Sequence, residues 1–171
     1  QTAMLTLSEN GQELARGNLM TVEGRAAIEA FMTQYMEADL RGAPRIVHAP
    51  GFSISDVAAK VVSLINLASV RELERLIGRP VDSLRFRGNL LVEGLSPWED
   101  HDWAGKELRL GKIRARGVMP IKRCAATNVD PVSAERDMEI PATLQRNLGH
   151  MNLGLYAEVL DAGTIRPGEP V

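Results

Sequence analysis

Residues able to do chemistry gather in three places along this chain. The first is Met119-Pro120-Ile121-Lys122-Arg123-Cys124, which sets two cations immediately before the only cysteine of the 171 residues. Nearby positive charge stabilises a thiolate, and the thiolate is the form that attacks an electrophile or binds a metal. A lone cysteine also serves as a small buried hydrophobe, and spacing does not choose between the two. One cysteine cannot close an internal disulfide, nor build a multi-cysteine zinc or iron–sulfur site. Chemistry at Cys124 therefore runs through that thiol alone or with a cofactor.

The second place is Leu84-Arg85-Phe86-Arg87. In a strand, Arg85 and Arg87 would share the face opposite the apolar side chains. Read functionally, this is an anion-binding edge, because guanidinium donors match phosphate geometry. Read structurally, it is a solvated strand face with a bulge at Gly88. The third place, residues 96–103, concentrates three acids, one histidine and both tryptophans. Glu99, Asp100, His101 and Asp102 could serve a divalent metal, but EF-hand and histidine-pair spacings are missing. The preferred reading is a surface turn whose tryptophans pack back on a sheet. His48 and His150 stand alone in sequence and read as hydrogen-bonded structural residues. No Walker loop, GxGxxG, GxSxG or HExxH appears, which removes the usual support for nucleotide, serine-hydrolase and zinc-protease chemistry.

The elements that must position these residues can be read from periodicity. Asn10-Gly11 between two β-prone runs predicts a tight hairpin. Ile28, Phe31, Met32, Tyr35, Met36 and Leu40 recur at helical spacing, with Thr21 as N-cap and Gly42 as stop. A short strand is expected at 45–48, a loop around 50–53 and a buried strand at 60–67. Ser69 and Glu72 have capping-box spacing and predict a helix over 70–77, ended by Gly78 and Pro80. Beyond it, strands are expected at 84–93, 107–110, 113–118, 124–129, 153–160 and 164–166. One late helix is expected at 140–148, with Pro141 in its first turn.

Composition bounds the rest. With 44% hydrophobic residues the chain can bury about one ordinary core. A net charge of −2, from 20 basic and 22 acidic residues, argues against nucleic acid or an anionic membrane as partner, so any anion site is local. No run approaches the roughly 18 apolar residues of a spanning helix, and no signal peptide opens the chain. A reducing, cytoplasmic compartment is expected. The chain opens on Gln1, so it is read as starting inside a longer protein.

Four segments, in order, resemble the MOSC domain family. Phe86-Arg87-Gly88-Asn89-Leu90-Leu91-Val92-Glu93-Gly94 is similar to its FRxNIVVxG strand. Trp98-Glu99-Asp100-His101-Asp102-Trp103 and then Leu108-Arg109-Leu110-Gly111 look like its acidic Trp loop and W…LRIG strand. Arg123-Cys124-Ala125-Ala126-Thr127-Asn128-Val129-Asp130-Pro131 resembles RCxxTxVDP. Gly163 and residues 164–171 resemble the closing GTIxxGDxV strand. The match begins near Lys60. Residues 1–51 resemble the trailing part of the N-terminal MOSC-associated β-domain of bacterial two-domain members, and 52–171 the MOSC domain itself. Gly88 departs from a frequent proline, and Lys122 from a frequent small or polar residue.

The resemblance implies a β-rich α+β fold, a MOSC-type β-barrel with a few peripheral helices. It implies a molybdenum cofactor of molybdopterin type, with Cys124 as metal ligand and catalytic centre. Arg87, Asn89, Arg123, Lys122 and Thr127 would then contact the cofactor. The implied function, similar to that of amidoxime-reducing component proteins, is reduction of small N-hydroxylated substrates with electrons from a separate electron-transfer protein. The alternative is a cofactor or sulfur carrier without its own catalysis, working with a cofactor-biosynthesis enzyme. Pyridoxal phosphate ranks below both, since no lysine has a Schiff-base setting. Because residues that close the pocket in two-domain relatives would precede Gln1, this fragment alone is expected to lack cofactor and reductase activity and to leave Cys124 open to maleimide.

Overall fold

The computed structural model describes residues 3–50 and 59–171. It divides into two compact units, Gln1–Ile54 and Ser55–Val171.

The first unit is a hairpin and a helix. Strands β1 (Met4–Glu9) and β2 (Gln12–Asn18) pair antiparallel. Asn10 and Gly11 both have positive φ, 50° and 79°, as the expected tight turn requires. Helix α1 (Val22–Tyr35) starts at the expected cap, with the Thr21 hydroxyl accepting from the Gly24 N–H at 3.0 Å. It stops at Tyr35, short of the expected Leu40. Glu37 and Asp39 bring negative charge to the negative end of the helix dipole, and no basic residue offsets it. The strand expected at 45–48 is absent. The Ile46 N–H donates instead to Glu29 Oε1 at 2.8 Å, and Arg45 pairs with the same carboxylate. The expected loop at 50–53 falls mostly outside the described residues.

The second unit is a curled, five-stranded mixed sheet in the order β4-β3-β7-β6-β5, a half-barrel. Its strands are β3 (Val61–Asn66), β4 (Leu90–Val92), β5 (Glu107–Leu110), β6 (Ile113–Lys122) and β7 (Asn152–Val159). Only β3 and β4 run parallel, so a crossover is needed between them. Helix α2 (Leu67–Ile77) supplies most of it, and helix α3 (Ile140–Leu148) packs beside α2. One apolar cluster joins these helices to the sheet through Ile65, Leu73, Phe86, Ile140, Leu144 and Leu153; the other lies around Leu64, Val92, Leu110 and Leu155. The β-rich α+β class expected from sequence is the class found.

Several local expectations are corrected. The cap of α2 is Asn66, whose Oδ1 accepts from the Ala68 N–H at 2.9 Å. Ser69 lies inside the first turn and accepts from the Trp98 N–H, while Glu72 binds Arg75. The capping-box pair is thus otherwise engaged, and Asn66, three residues upstream, makes the cap. The strand expected over 84–93 splits. Asp82 accepts from the Leu84 N–H and starts a 3-10 turn, Ser83–Phe86, and only Leu90–Val92 forms a strand. Residues 124–129 also form a 3-10 turn, Ala125–Asn128, because the Thr127 hydroxyl donates back to the Cys124 carbonyl at 2.9 Å. Residues 164–166 form no strand. They lead into a turn in which the Glu169 carboxylate accepts from the Arg166 N–H.

Candidate functional site

Cys124 is exposed and unpaired, and it heads the 3-10 turn Ala125–Asn128 that follows β6. The turn is held from several directions. The Arg123 N–H donates to Met151 O at 2.8 Å, tying the approach to Cys124 to the start of β7. Thr127 is buried and spends its hydroxyl on the Cys124 carbonyl. Asn128 Oδ1 accepts from the Ile140 N–H at 2.8 Å, so the far end of the turn also caps α3.

Arg123 joins this turn to the next. The residue is buried, 9% exposed; its Nε donates to Leu153 O at 2.7 Å and its Nη1 to Phe86 O at 3.1 Å. The same cation lies 5.3 Å from the centroid of the Phe86 ring. Burial pulls its pKa down to about 10, opposed by the nearby Tyr156, Cys124 and Asp100. One side chain thus connects the residue before Cys124 to the residue before Arg87.

Arg87 ends the 3-10 turn Ser83–Phe86 in the left-handed region, φ 50°, with its side chain exposed. Asn89 lies two residues on, and its Oδ1 accepts from both the N–H and the hydroxyl of Ser63. Gly88 passes so close to β3 that an added Cβ would meet Ile65 Cγ1 at 2.3 Å. This segment runs tight against the sheet rather than bulging away from it.

Arg85 does not share a face with Arg87. In the 3-10 turn its side chain turns inward and is 2% exposed, paired to Asp130 at 2.9 Å and Asp137 at 2.8 Å. Hydrogen bonds from Arg85 hold the Asp137 carboxyl below its ordinary range, and backbone N–H groups of Ser133 and Val132 do the same for Asp130. The expected anion edge is therefore corrected to Arg87 alone. Arg85 instead binds the Ser83–Phe86 turn to the loop that follows the cysteine turn. Lys122 and Arg87 are both exposed and neither has an ion-pair partner among the described residues.

The acidic segment is a docked 3-10 turn, Glu99–Trp103, whose Trp98 and Trp103 pack against the two cores as expected. Asp100 is not a surface residue: it is 1% exposed, and its Oδ1 accepts from Asn66 Nδ2 at 3.0 Å. His101 and His150, remote in sequence, meet with ring centroids 5.5 Å apart beside Trp98. Burial lowers the pKa of His101, against the opposing pull of Asp100. His150 Nδ1 accepts from the Asn152 N–H, the structural role read for it. Asn66, Arg123 as a clamp, and the paired histidines gave no signal in sequence, because each depends on contacts across the fold. Among the described residues no group of three or more His, Cys, Asp or Glu could hold a metal. No helix there is long and apolar enough to cross a membrane.

Residues 40–171 match a family model described as the MOSC domain. The mouse protein named mitochondrial amidoxime-reducing component 1 is 27% identical over 63% of this chain and 35% of its own length. The Culex quinquefasciatus protein named molybdenum cofactor sulfurase 2 is 35% identical over 54% of this chain and 13% of its own length. The chain thus spans about a third of the first of these relatives and less of the second. Among solved structures, YiiM from Geobacillus stearothermophilus aligns with a TM-score of 0.50 at 23% identity, over 64% of this chain and 51% of that one. That likeness concerns the fold.

Proposed function

The chain belongs to the MOSC domain family, and from that premise we propose that it holds a molybdenum cofactor of molybdopterin type through Cys124. The observation that carries the reading is the exposed Cys124 thiol on a turn fastened at both ends, two residues after Lys122, which like Arg87 is an exposed cation with no ion pair among the described residues. A single cysteine that belongs to no group of three or more His, Cys, Asp or Glu among the described residues suits a soft metal that arrives with its other ligands on an anionic chelate. When bound, such a cofactor would supply two-electron redox chemistry.

The chain's own residues then divide the work. Cys124 supplies the protein ligand. Arg87 and Lys122 meet the phosphate tail, and Asn89 offers the amide N–H groups left once its oxygen is given to Ser63. Thr127 and Arg123 act through the position of Cys124, since their bonding groups are mostly committed inward.

At full length we place this domain in a cytoplasmic molybdoenzyme that reduces N-hydroxylated compounds. Cleavage of the N–O bond takes an electron pair from a separate redox protein and protons from solvent, and releases water. Relatives named for amidoxime reduction support this reading. The matches to cofactor sulfurases support the second one, a carrier or binding module without its own catalysis. We retain 1–51 as the trailing part of an N-terminal β-domain and 52–171 as the MOSC domain.

The test is Cys124→Ser in the protein of full natural length, purified from cells that make the cofactor. Molybdenum, measured by plasma mass spectrometry, should be lost while the urea transition stays within experimental error of the parent's. Stoichiometric molybdenum in the variant overturns the ligand assignment.

A further inference from the structure

Four buried side-chain atoms among the described residues have no hydrogen-bond partner in the protein: Arg85 Nε, Asp100 Oδ2, His101 Nε2 and Arg123 Nη2. Arg85 has its remaining nitrogens fully engaged by Asp130 and Asp137. Asp100 Oδ2 and His101 Nε2 belong to the acidic turn and Arg123 Nη2 to the approach to Cys124, and of these Asp100 and Arg123 are both placed near the end of β3. Asp100 is fixed there through Asn66, the last residue of that strand. Arg123 Nη2 is placed there through Gly154 of β7. A Cβ added to Gly154 would lie 3.1 Å from Nη2, 2.5 Å from Leu64 O and 2.8 Å from Ile65 Cδ1. Gly154 has φ 84°, so it is a position where the fold keeps the side chain out.

A carboxylate oxygen and a guanidinium nitrogen therefore lie buried in one neighbourhood, of opposite charge and each unpaired. Asp100 acts electrostatically on both Arg123 and His101. Buried charges left unpaired are strongly disfavoured, and the common remedy is a buried water with two to four polar partners. Water can accept from Nη2 and donate to Oδ2 at once.

We propose that an ordered water shared by Asp100 Oδ2 and Arg123 Nη2 links the acidic turn to the cysteine loop, which makes Asp100 a positioning residue for Cys124. Its functional meaning rests on the reading of Cys124 as metal ligand; the bridge itself does not. Asp100 fixes the water, the water completes the bonding of Arg123, and Arg123 holds the cysteine turn against Phe86 and Leu153. The residue is carried on a turn with no covalent proximity to the thiol, yet only one solvent molecule and one side chain separate the two.

The test needs no cofactor, so its failure is distinct from failure of the molybdenum reading. A crystal structure of the parent chain at high resolution should place a water about 2.6–3.2 Å from both atoms. Native-state labelling of Cys124 by a maleimide then reads the position of the turn. Asp100→Leu should raise the rate on the order of tenfold, because the water loses its anchor. Asp100→Asn, whose oxygen can still accept from Asn66 while its amide N–H donates to a water that also accepts from Arg123, should restore it to within about twofold of the parent. A direct Asp100–Arg123 hydrogen bond in the crystal, the absence of water at both atoms, or parental labelling in a folded Asp100→Leu protein would each overturn the proposal. Should Asp100→Leu fail to fold, the parent density and the Asp100→Asn crystal structure decide: the water retained in both supports the bridge, and its absence from either refutes it.

Discussion

Replacing Arg123 with methionine separates what this residue does for stability from what it does for the cysteine turn. Methionine keeps much of the aliphatic stem and removes the charge. Two charge-assisted hydrogen bonds are lost, to Leu153 O and Phe86 O, worth about 1.5–3 kcal/mol each. The contact with the Phe86 ring adds about 0.5–2 kcal/mol. Against this stands the cost of burying the guanidinium. A pKa brought down to about 10 corresponds to roughly 3 kcal/mol against the charged form, and that cost disappears with the charge. The balance is a loss of about 0.5–5 kcal/mol, with about 2–3 kcal/mol as the central expectation, too little to unfold a domain of ordinary stability of about 5–15 kcal/mol.

The local effect should be much larger than the global one. With both carbonyls released, the direct clamp from the residue before Cys124 to the Arg87 turn is gone, and the Arg85 ion pairs to Asp130 and Asp137 remain as the tie between the two turns. Urea titration should return an unchanged m value with a modestly lower midpoint, and maleimide labelling of Cys124 below the transition should accelerate about tenfold or more. If labelling stays at the parental rate in a variant that has lost stability, Arg123 is a core bond and not a clamp on the site, and the division of roles argued above fails.

Further expectations concern the packing and titration of the same region. Gly154→Ala should cost about 3 kcal/mol or more: a left-handed conformation costs an alanine about 1–2 kcal/mol, and its Cβ would sit 2.5 Å from the Leu64 carbonyl oxygen. Gly42→Ala, with nothing within 4 Å of its Cβ, is the control, and equal urea midpoints for the two variants would refute the close approach. For His101, burial lowers the folded-state pKa below that of the unfolded chain. The unfolded state then binds more protons in the window between the two values, so stability rises with pH across it. Stability should therefore be full above about pH 6.5 and decline as the pH falls below it, with a shallower decline in His101→Gln. Identical pH slopes for parent and variant, from urea midpoints, would show that His101 is not the group responsible.

Much of the frame was legible in the sequence because it rests on local signals. Asn10-Gly11, the Thr21 cap, the apolar run at 60–67, Gly78 and the 140–148 helix all declare themselves within a few residues, and the structure agrees at each to within a residue at the strand's ends. The errors share a cause. Residues 84–87 alternate like a strand, yet Asp82 offers the Leu84 N–H a nearer partner and turns the chain into a 3-10 helix, reversing which arginine is buried. Residues 124–129 are β-prone, yet Thr127 bonds back to Cys124. In both cases a short polar side chain satisfied the backbone before a neighbouring strand could. The roles of Asn66, Asp100 and Arg123 were hidden for a different reason: each depends on partners roughly 30 residues or more away.

Arg85, Arg87 and Arg123 illustrate how little residue type alone decides. Arg85 has both terminal nitrogens on carboxylates, and Arg123 has two nitrogens on backbone carbonyls. A guanidinium so engaged gives up those bonds before it can grip an anion, and its burial keeps the anion at a distance. Arg87 differs only in backbone: its left-handed conformation ends the turn and aims the side chain at solvent. Lys122 gains the same freedom from alternation along β6, where Ile121 and Arg123 face inward on either side. On the function proposed above, Arg87 and Lys122 would be the cations open to an anionic ligand at Cys124, while Arg85 and Arg123 hold the turns that carry them. Loss of Arg87 should accordingly weaken anion binding with little change in the fold, whereas loss of Arg85 should act on the fold first.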